Sequence, residues 1–338
     1  MKYWAILVLL AFSLYGKDYT RYEETRKFID KMVLQHHIPF AWLEPLFKNV
    51  TPQKVPLRFF STKKRKPSST LKRKYPVHGS WDRYVRLKVT PKNIQEGAAF
   101  LRRYDRIFRH VERQYGVPRE YIAAIIGIES LYGKNMGSFP VFDTLTTLAF
   151  EPNRRNRFFR SELEEFLKLC YKNNFNPRRV KGSFAGAIGL GQFMPSNYEA
   201  YGIDFNKDGR ISMLHPHDAI ASIANYLRKN GWRRGEPVAT RVSYPGNRFR
   251  RYKTGYNRLY QRSRLKHIFP KNGKWNYHDP VRLIKLDRKN YDELWYGAKN
   301  FYVLTRYNHS AYYAMSVHQL AEGIRNYIRN RPVHLVRK

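Results

Sequence analysis

A single cysteine, Cys170, stands in 338 residues, so the chain can close no disulfide on itself. Cys170 shares a helical stripe with Leu163, Phe166 and Leu167, which marks it as a core thiol and not a nucleophile. No cysteine follows the N-terminal apolar run, so the lipid attachment of a bacterial lipoprotein is not expected. Acidic residues are also scarce: 26 Asp and Glu face 64 Lys and Arg, a formal net charge of +38. A surface this basic must meet anions. Beyond the first residues no stretch is apolar enough to span a bilayer. No G-x-x-x-x-G-K-[ST] phosphate loop occurs, and nothing has the ligand spacing of an open catalytic zinc site.

Hydrophobic residues at 42% and aromatics at 16% are enough to build a substantial core, so the chain is globular. It starts MKYWAILVLLAFSLYGKDYT, with one Lys, an apolar run over Tyr3–Leu14, then small and polar residues. That is the pattern of a secretory signal peptide, cleaved near Gly16 or at Ser13, with an uncleaved anchor as the alternative. Export disfavours nucleic acid as the anion. A cell wall or an anionic membrane surface fits better. Residues 61–79 are basic and rich in Ser and Pro, and read as an exposed linker.

The informative stretch is residues 118–150. Pro118 suits the first position of a helix. Ile122, Ile125 and Ile126 follow at helical spacing, and the next place on that stripe is Glu129. Ala123, Ala124, Gly127 and Ile128 fill the other faces, so the helix is apolar nearly all round. A carboxyl group ending such a helix loses hydration and holds its proton more tightly, as a general acid working near neutral pH must. The run Tyr132-Gly133-Lys134-Asn135-Met136-Gly137 then stops the helix. A Glu paired with Lys134 is the structural alternative.

Downstream, Asp143 reads as the cap of a helix over TLTTLAF and is the nearest candidate for a second catalytic carboxylate. Arg154 and Arg155 can hold an anion or lie on a solvated face. Residues 182–198, GSFAGAIGLGQFMPSNY, combine close-approach glycines with the neutral groups Ser183 and Gln192, which suit sugar hydroxyls and acetamides better than phosphates. In 204–215, Asp204, Asn206 and Asp208 occupy positions 1, 3 and 5 of a calcium loop, Gly209 the turn, and Arg210 the carbonyl position. His215 takes position 12 in place of the usual Glu, and Asp218 can substitute. The ion is calcium or sodium in a structural role; a metal-free Asx turn is the alternative. A helix follows through Ile220, Ile223 and Tyr226. Residues 236–300 read as short strands separated by turns. Residues 301–328 pass from a strand-like segment into a final helix, with Tyr307, Asn308 and Tyr313 at the junction.

These stretches resemble the membrane-bound lytic transglycosylase B family of bacterial cell-wall enzymes, which has a lysozyme-like core. IGIESLYGKNMG, DTLTTLAF, RRNRFF, GSFAGAIGLGQFMPSNY, DFNKDGRI with Asp218, ANYL, WYGAKNFYVLTRYNHS and YYAM carry the likeness, in order and at compatible spacing, from about Trp81 to about Arg325. The resemblance implies a mainly α (α+β) fold. Its expected parts are a leader (1–16), an N-terminal helical segment and basic linker (17–80), and a helical part (81–117). A lysozyme-like catalytic core with an EF-hand-like loop (118–235), a small β-rich subdomain (236–300) and a C-terminal strand and helix (301–330) follow.

The resemblance further implies Glu129 as the sole acid/base in cleavage of the MurNAc–GlcNAc bond of peptidoglycan with 1,6-anhydro ends. Glycan contacts fall on Tyr84, Arg154, Arg155, Ser183, Gln192, Tyr226, Tyr307, Asn308 and Tyr313. The ion ligands fall on Asp204, Asn206, Asp208, Arg210 and Asp218. No catalytic cofactor is implied. The partner is the peptidoglycan strand, the protein is expected to be a periplasmic monomer, and nucleic acid is not expected. A non-catalytic wall-binding scaffold and a hydrolytic, lysozyme-like muramidase remain the alternatives.

Overall fold

A computed structural model describes residues 16–61 and 78–330. The apolar N-terminal run and most of the basic 61–79 segment lie outside the described residues. Among those described, no helix is long and apolar enough to cross a membrane. The fold is mainly α with small antiparallel sheets. The chain divides into two compact units, one of residues up to 66 with 136–200 and 207–213, the other of 67–135, 201–206 and 214–338. The segment 118–235, expected as one core, therefore contributes to both.

In the first unit, helices Glu23–His36, Phe40–Lys48, Val141–Phe150 and Asn156–Lys172 enclose an aromatic core. Phe47 meets Phe28 and Phe142 edge-on at 6.1 and 5.2 Å, the geometry that ring quadrupoles favour. Cys170 is buried there, as its stripe predicts, and burial pushes its thiol pKa up. Asp143 is not the cap. The helix begins at Val141 after Pro140, with no side-chain cap. The Asp143 carboxylate instead takes Arg178 at 3.0 Å and the Thr51 N–H at 3.3 Å, since a buried carboxylate needs a cation and donors more than a helix start needs a cap.

In the second unit the long helix Ala311–Arg329 packs on Arg119–Ser130, Pro91–Arg103, Lys299–Tyr307 and Ser80–Lys88. Thr90 caps its helix through the Asn93 N–H, with Pro91 at the first turn. That helix breaks at Tyr104, whose φ of −114° leaves the helical region, and a second helix, Asp105–Tyr115, starts directly after it. Strands Phe269–Pro270, Ala239–Ser243, Asp292–Gly297 and Arg282–Asp287 form an antiparallel sheet in that spatial order. It covers a separate small core of Val242, Phe249, Leu283, Leu294 and Tyr296.

Residues 301–307 are helical and not a strand. Phe301, Leu304 and Thr305 are buried at helical spacing. The Asn300 side chain ties the helix start to the carbonyls of Arg233 and Glu236. These tertiary bonds outweigh the β preference of an aromatic and β-branched run.

Pro118 precedes the helix Arg119–Ser130 as its N-cap and does not open it. Every residue from Tyr121 to Ile128 is buried. The helix closes on two non-glycine residues in the left-handed region, Leu131 (φ 50°) and Tyr132 (φ 59°), through bonds from Leu131 N to Gly127 O and Tyr132 N to Ile126 O. Tyr132 folds back beneath the helix, and its hydroxyl donates to the Asn93 carbonyl at 2.8 Å. There is room only because residue 127 is glycine: a Cβ would lie 2.4 Å from the Tyr132 oxygen. Gly127→Ala is therefore expected to expel the ring and cost about 2 kcal/mol, read as a lowered midpoint in thermal unfolding. Tyr132→Phe should cost about 1 kcal/mol. An unchanged midpoint for Gly127→Ala would show that the ring does not need this space.

Candidate active site

Glu129 sits one residue before the end of the buried helix and keeps only partial exposure. Loss of hydration pushes its pKa up to about 7. Two weaker effects pull the other way. The Tyr313 hydroxyl donates to Glu129 Oε1 at 2.7 Å, and the positive charge of Lys88 favours the carboxylate. Lys88 is held close by, with its ammonium 3.4 Å from the carbonyl of Ile128. Lys134 is not the partner, since it pairs with Glu96 at 2.7 Å. Among the described residues no second carboxylate contributes to the Glu129 shift. The group is thus poised between acid and base near neutral pH.

Tyr313 is placed by the start of its helix, where the Ser310 hydroxyl accepts the Tyr313 N–H at 3.2 Å. Burial and the nearby Glu129 charge hold its hydroxyl well above the ordinary tyrosine range, so it stays a donor. Tyr307 stacks nearly parallel on it, 9° apart at 6.2 Å. Tyr226 meets Tyr307 edge-on at 4.9 Å, lies 4.5 Å from Tyr201, and donates to the Arg306 carbonyl at 2.6 Å. Burial raises the Tyr84 pKa, and the Glu129 charge raises it further. Asn308 is exposed between the two helices. The second unit thus brings together Glu129, Tyr84, Tyr226, Tyr307, Asn308 and Tyr313. The sequence pattern did not single out Lys88, Tyr201 or Trp81, which lies under Tyr84; no motif marks them.

The first unit holds Ser183, Gln192, Arg154 and Arg155. Gln192 has φ 49°, a strained conformation that costs on the order of 1–3 kcal/mol and marks functional positions. Its amide nitrogen donates to the carbonyls of Met136 at 3.1 Å and Gly189 at 2.9 Å, which leaves its oxygen as the acceptor. Ser183 is complementary. Its oxygen accepts from the Ala185 and Ala187 N–H groups at 3.3 and 3.0 Å, which leaves its own proton to donate. One donor and one acceptor match the C=O and N–H of an acetamide. Arg154 and Arg155 are exposed, and Arg155 lies 4.2 Å over the ring of Phe158.

In the 204–218 segment, Gly209 turns with φ 82°, and the Asp208 carboxylate accepts the Arg210 N–H at 2.9 Å. Asp218 is buried and accepts the Phe205 N–H at 3.0 Å. His215 is the N-cap residue of the helix Pro216–Lys229, without a side-chain cap bond. Among the described residues no three His, Cys, Asp or Glu side chains converge as a metal site. The donors at 204, 206, 208, 210 and 218 are all oxygens, however, and the turn has the required glycine, so the set fits a hard cation.

The Glu129 pKa predicts a stability effect. A folded-state value near 7 lies above the ordinary 4.5. The folded chain therefore binds the proton more tightly, and stability falls as pH rises from about 4.5 to 7. Glu129→Gln removes this loss. It should match the parent at pH 4 and exceed it at pH 8.5 by on the order of 3 kcal/mol at most, measured by denaturant unfolding. An equal gap at both pH values would contradict the buried acid.

Residues 20–322 match the family model described as Transglycosylase SLT domain. The chain is 37% identical over 313 residues to membrane-bound lytic murein transglycosylase B of Escherichia coli (strain K12), covering 91% of this chain and 84% of that protein. The E. coli lytic transglycosylase Slt35, solved in complex with bulgecin A and in complex with calcium, superposes with a TM-score of 0.83 at 35% identity over 93% of this chain and 96% of its own. SltB3 of Pseudomonas aeruginosa, solved with NAG-anhNAM-pentapeptide, gives a TM-score of 0.74 at 26% identity over 90% of this chain and 79% of its own. With the family model spanning most of the chain, and a curated relative so similar over nearly all of it, this protein belongs to the transglycosylase SLT family of lytic murein transglycosylases.

Proposed function

We propose that this lytic murein transglycosylase cuts the β-1,4 bond between N-acetylmuramic acid and N-acetylglucosamine with Glu129 as its only acid–base group. The observation that carries this reading is the dehydrated Glu129 at the end of its helix, with a pKa pushed up to about 7 and the Tyr313 hydroxyl donating to it at 2.7 Å. Glu129 gives its proton to the glycosidic oxygen as that bond breaks through an oxocarbenium-like state. A retaining glycosidase would then need a second carboxylate about 5–5.5 Å away. Asp143, the candidate that the sequence offers, is committed to Arg178.

The substrate therefore supplies the nucleophile. Ionised Glu129 takes the proton of the C6 hydroxyl, the C6 oxygen closes on C1, and a 1,6-anhydro ring forms without water. The carboxyl group ends protonated, as it began. Tyr313 and Lys88 favour the anion needed for the second half, and burial favours the acid needed for the first. Ser183 and Gln192 hold an acetamide, and the tyrosines pack on sugar rings, which is positioning. Arg154 and Arg155 meet lactyl or peptide carboxylates. The N-terminal apolar run supports export to the periplasm.

Glu129→Gln should fold and release muropeptides from purified peptidoglycan at least about 100-fold more slowly. Wild-type products should carry ends lighter by one water than hydrolysed ends in mass spectrometry. Hydrolysed ends would replace this mechanism with a muramidase. Near-normal release by the Gln variant would remove Glu129 from its role.

We further propose that Asp204, Asn206, Asp208, the Arg210 carbonyl and Asp218 hold a structural calcium ion. The oxygen-only donor set and the Gly209 turn support this, and Slt35 has been solved with calcium. Calcium at 100 times its dissociation constant should stabilise the protein by about 2.7 kcal/mol over EDTA. Asp208→Asn should lose most of that gain. Equal melting in calcium and EDTA would refute the site.

A further inference from the structure

Four phenylalanines in the first unit form an unusual surface. Phe159 is fully buried and Phe60 nearly so, at 5% exposure, with rings 4.8 Å apart. On this base stand Phe59, 61% exposed, and Phe184, 36% exposed. They meet edge-on at 4.9 Å and 68°, while Phe184 stacks on Phe60 at 22°. Phe59 also packs edge-on against Phe60 at 5.0 Å. Isolated exposed phenylalanines are ordinary, but a rigid contiguous pair is not. The pair is tied to the arginines by the Arg154 N–H, which donates to the Phe60 carbonyl at 3.1 Å. Arg155 lies 5.9 Å over Phe159 and closer over Phe158, with its charged group exposed.

We propose that Phe59 and Phe184 form a further sugar-binding platform, rimmed by Arg155, that holds a residue of the peptidoglycan strand. The proposal rests on the glycan-cleaving function above. An aromatic face suits the apolar C–H face of a pyranose, and rings already locked by neighbours lose little entropy on binding. The guanidinium at the rim complements the lactyl carboxylate carried by every second sugar of the strand. Phe184 directly follows Ser183, whose free hydroxyl proton suits an acetamide oxygen. Apolar face, fixed cation and neutral donor together match an alternating neutral and anionic amino-sugar polymer.

The test uses the full chain with Glu129→Gln, which binds without cutting. Its affinity for fluorescent, peptide-free glycan strands released by an amidase is compared with that of Phe59→Ser/Phe184→Ser in the same background. The double variant should bind about tenfold more weakly, with an unchanged melting midpoint. Phe184→Tyr, which keeps the ring, should bind like the parent; if the double variant fails to fold, the single Phe59→Ser, at the more exposed ring, should still bind severalfold more weakly, and equal affinity there overturns the platform. Equal affinity of parent and double variant overturns the platform. So does a concentration-dependent dimer of the parent that the double variant abolishes, which would make the face a contact between copies. A wild-type protein that releases no muropeptide at all would instead overturn the underlying function.

Discussion

Dehydration of one carboxyl group is the constraint on which the rest of the structure depends. Glu129 stands one residue before the end of a helix that is buried from Tyr121 to Ile128, and loss of water is the largest influence on its proton. The hydrogen bond from Tyr313 and the charge of Lys88 oppose it. Neither opponent wins, and neither is negligible, so the group settles near neutrality. A stronger pair of partners would leave a permanent anion that cannot begin the reaction. No partners at all would leave a permanent acid that cannot finish it.

That balance requires the helix end to be fixed within a fraction of an ångström. Leu131 and Tyr132 accept a left-handed backbone immediately after the carboxylate. The strain is offset beneath the helix, where the Tyr132 ring occupies space left by Gly127 and Gly97 and bonds to Asn93. The Ser130 hydroxyl also closes the turn, donating to the Ile126 carbonyl and accepting the Gly133 N–H. The apolar helix interior and the glycine opposite a tyrosine are therefore parts of the acid site, though neither touches substrate.

How legible the protein is from its sequence follows from the range of the interactions. The Ile122–Ile125–Ile126–Glu129 stripe is local, and helical spacing alone puts this carboxyl group next to the end of a buried helix. The strand-and-turn pattern of 236–300 is local as well, although its sheet pairs residues as far apart as Ala239 and Gly297. The bond between Glu129 and Tyr313 spans 184 positions, and no periodicity contains it; only the family likeness of the YYAM segment points there. Asp143 shows the same limit in reverse. Its position near a helix start suggests a cap, but Arg178 takes the carboxylate through the fold. Residues 301–307 mislead for a related reason, because their strand-like composition yields to burial and to Asn300. Phe59 and Phe184 are ordinary in sequence and acquire meaning only as neighbours.

The chain's charge sharpens the case for burial as the governing effect. With a formal net charge of +38, the average field across this molecule favours an anion at any site. An exposed glutamate would therefore be ionised throughout the neutral range and useless as an acid. Among the described residues only Lys88 contributes a Coulombic effect to the Glu129 shift; its other partner is a neutral phenol. The site thus keeps positive charge at a distance while the surface accumulates it. Within the first unit, Ser183 and Gln192 likewise offer a neutral donor and a neutral acceptor where another lysine or arginine would be unremarkable in so basic a chain. Burial, which withdraws the carboxyl group from water, preserves a proton that so basic a molecule would otherwise remove.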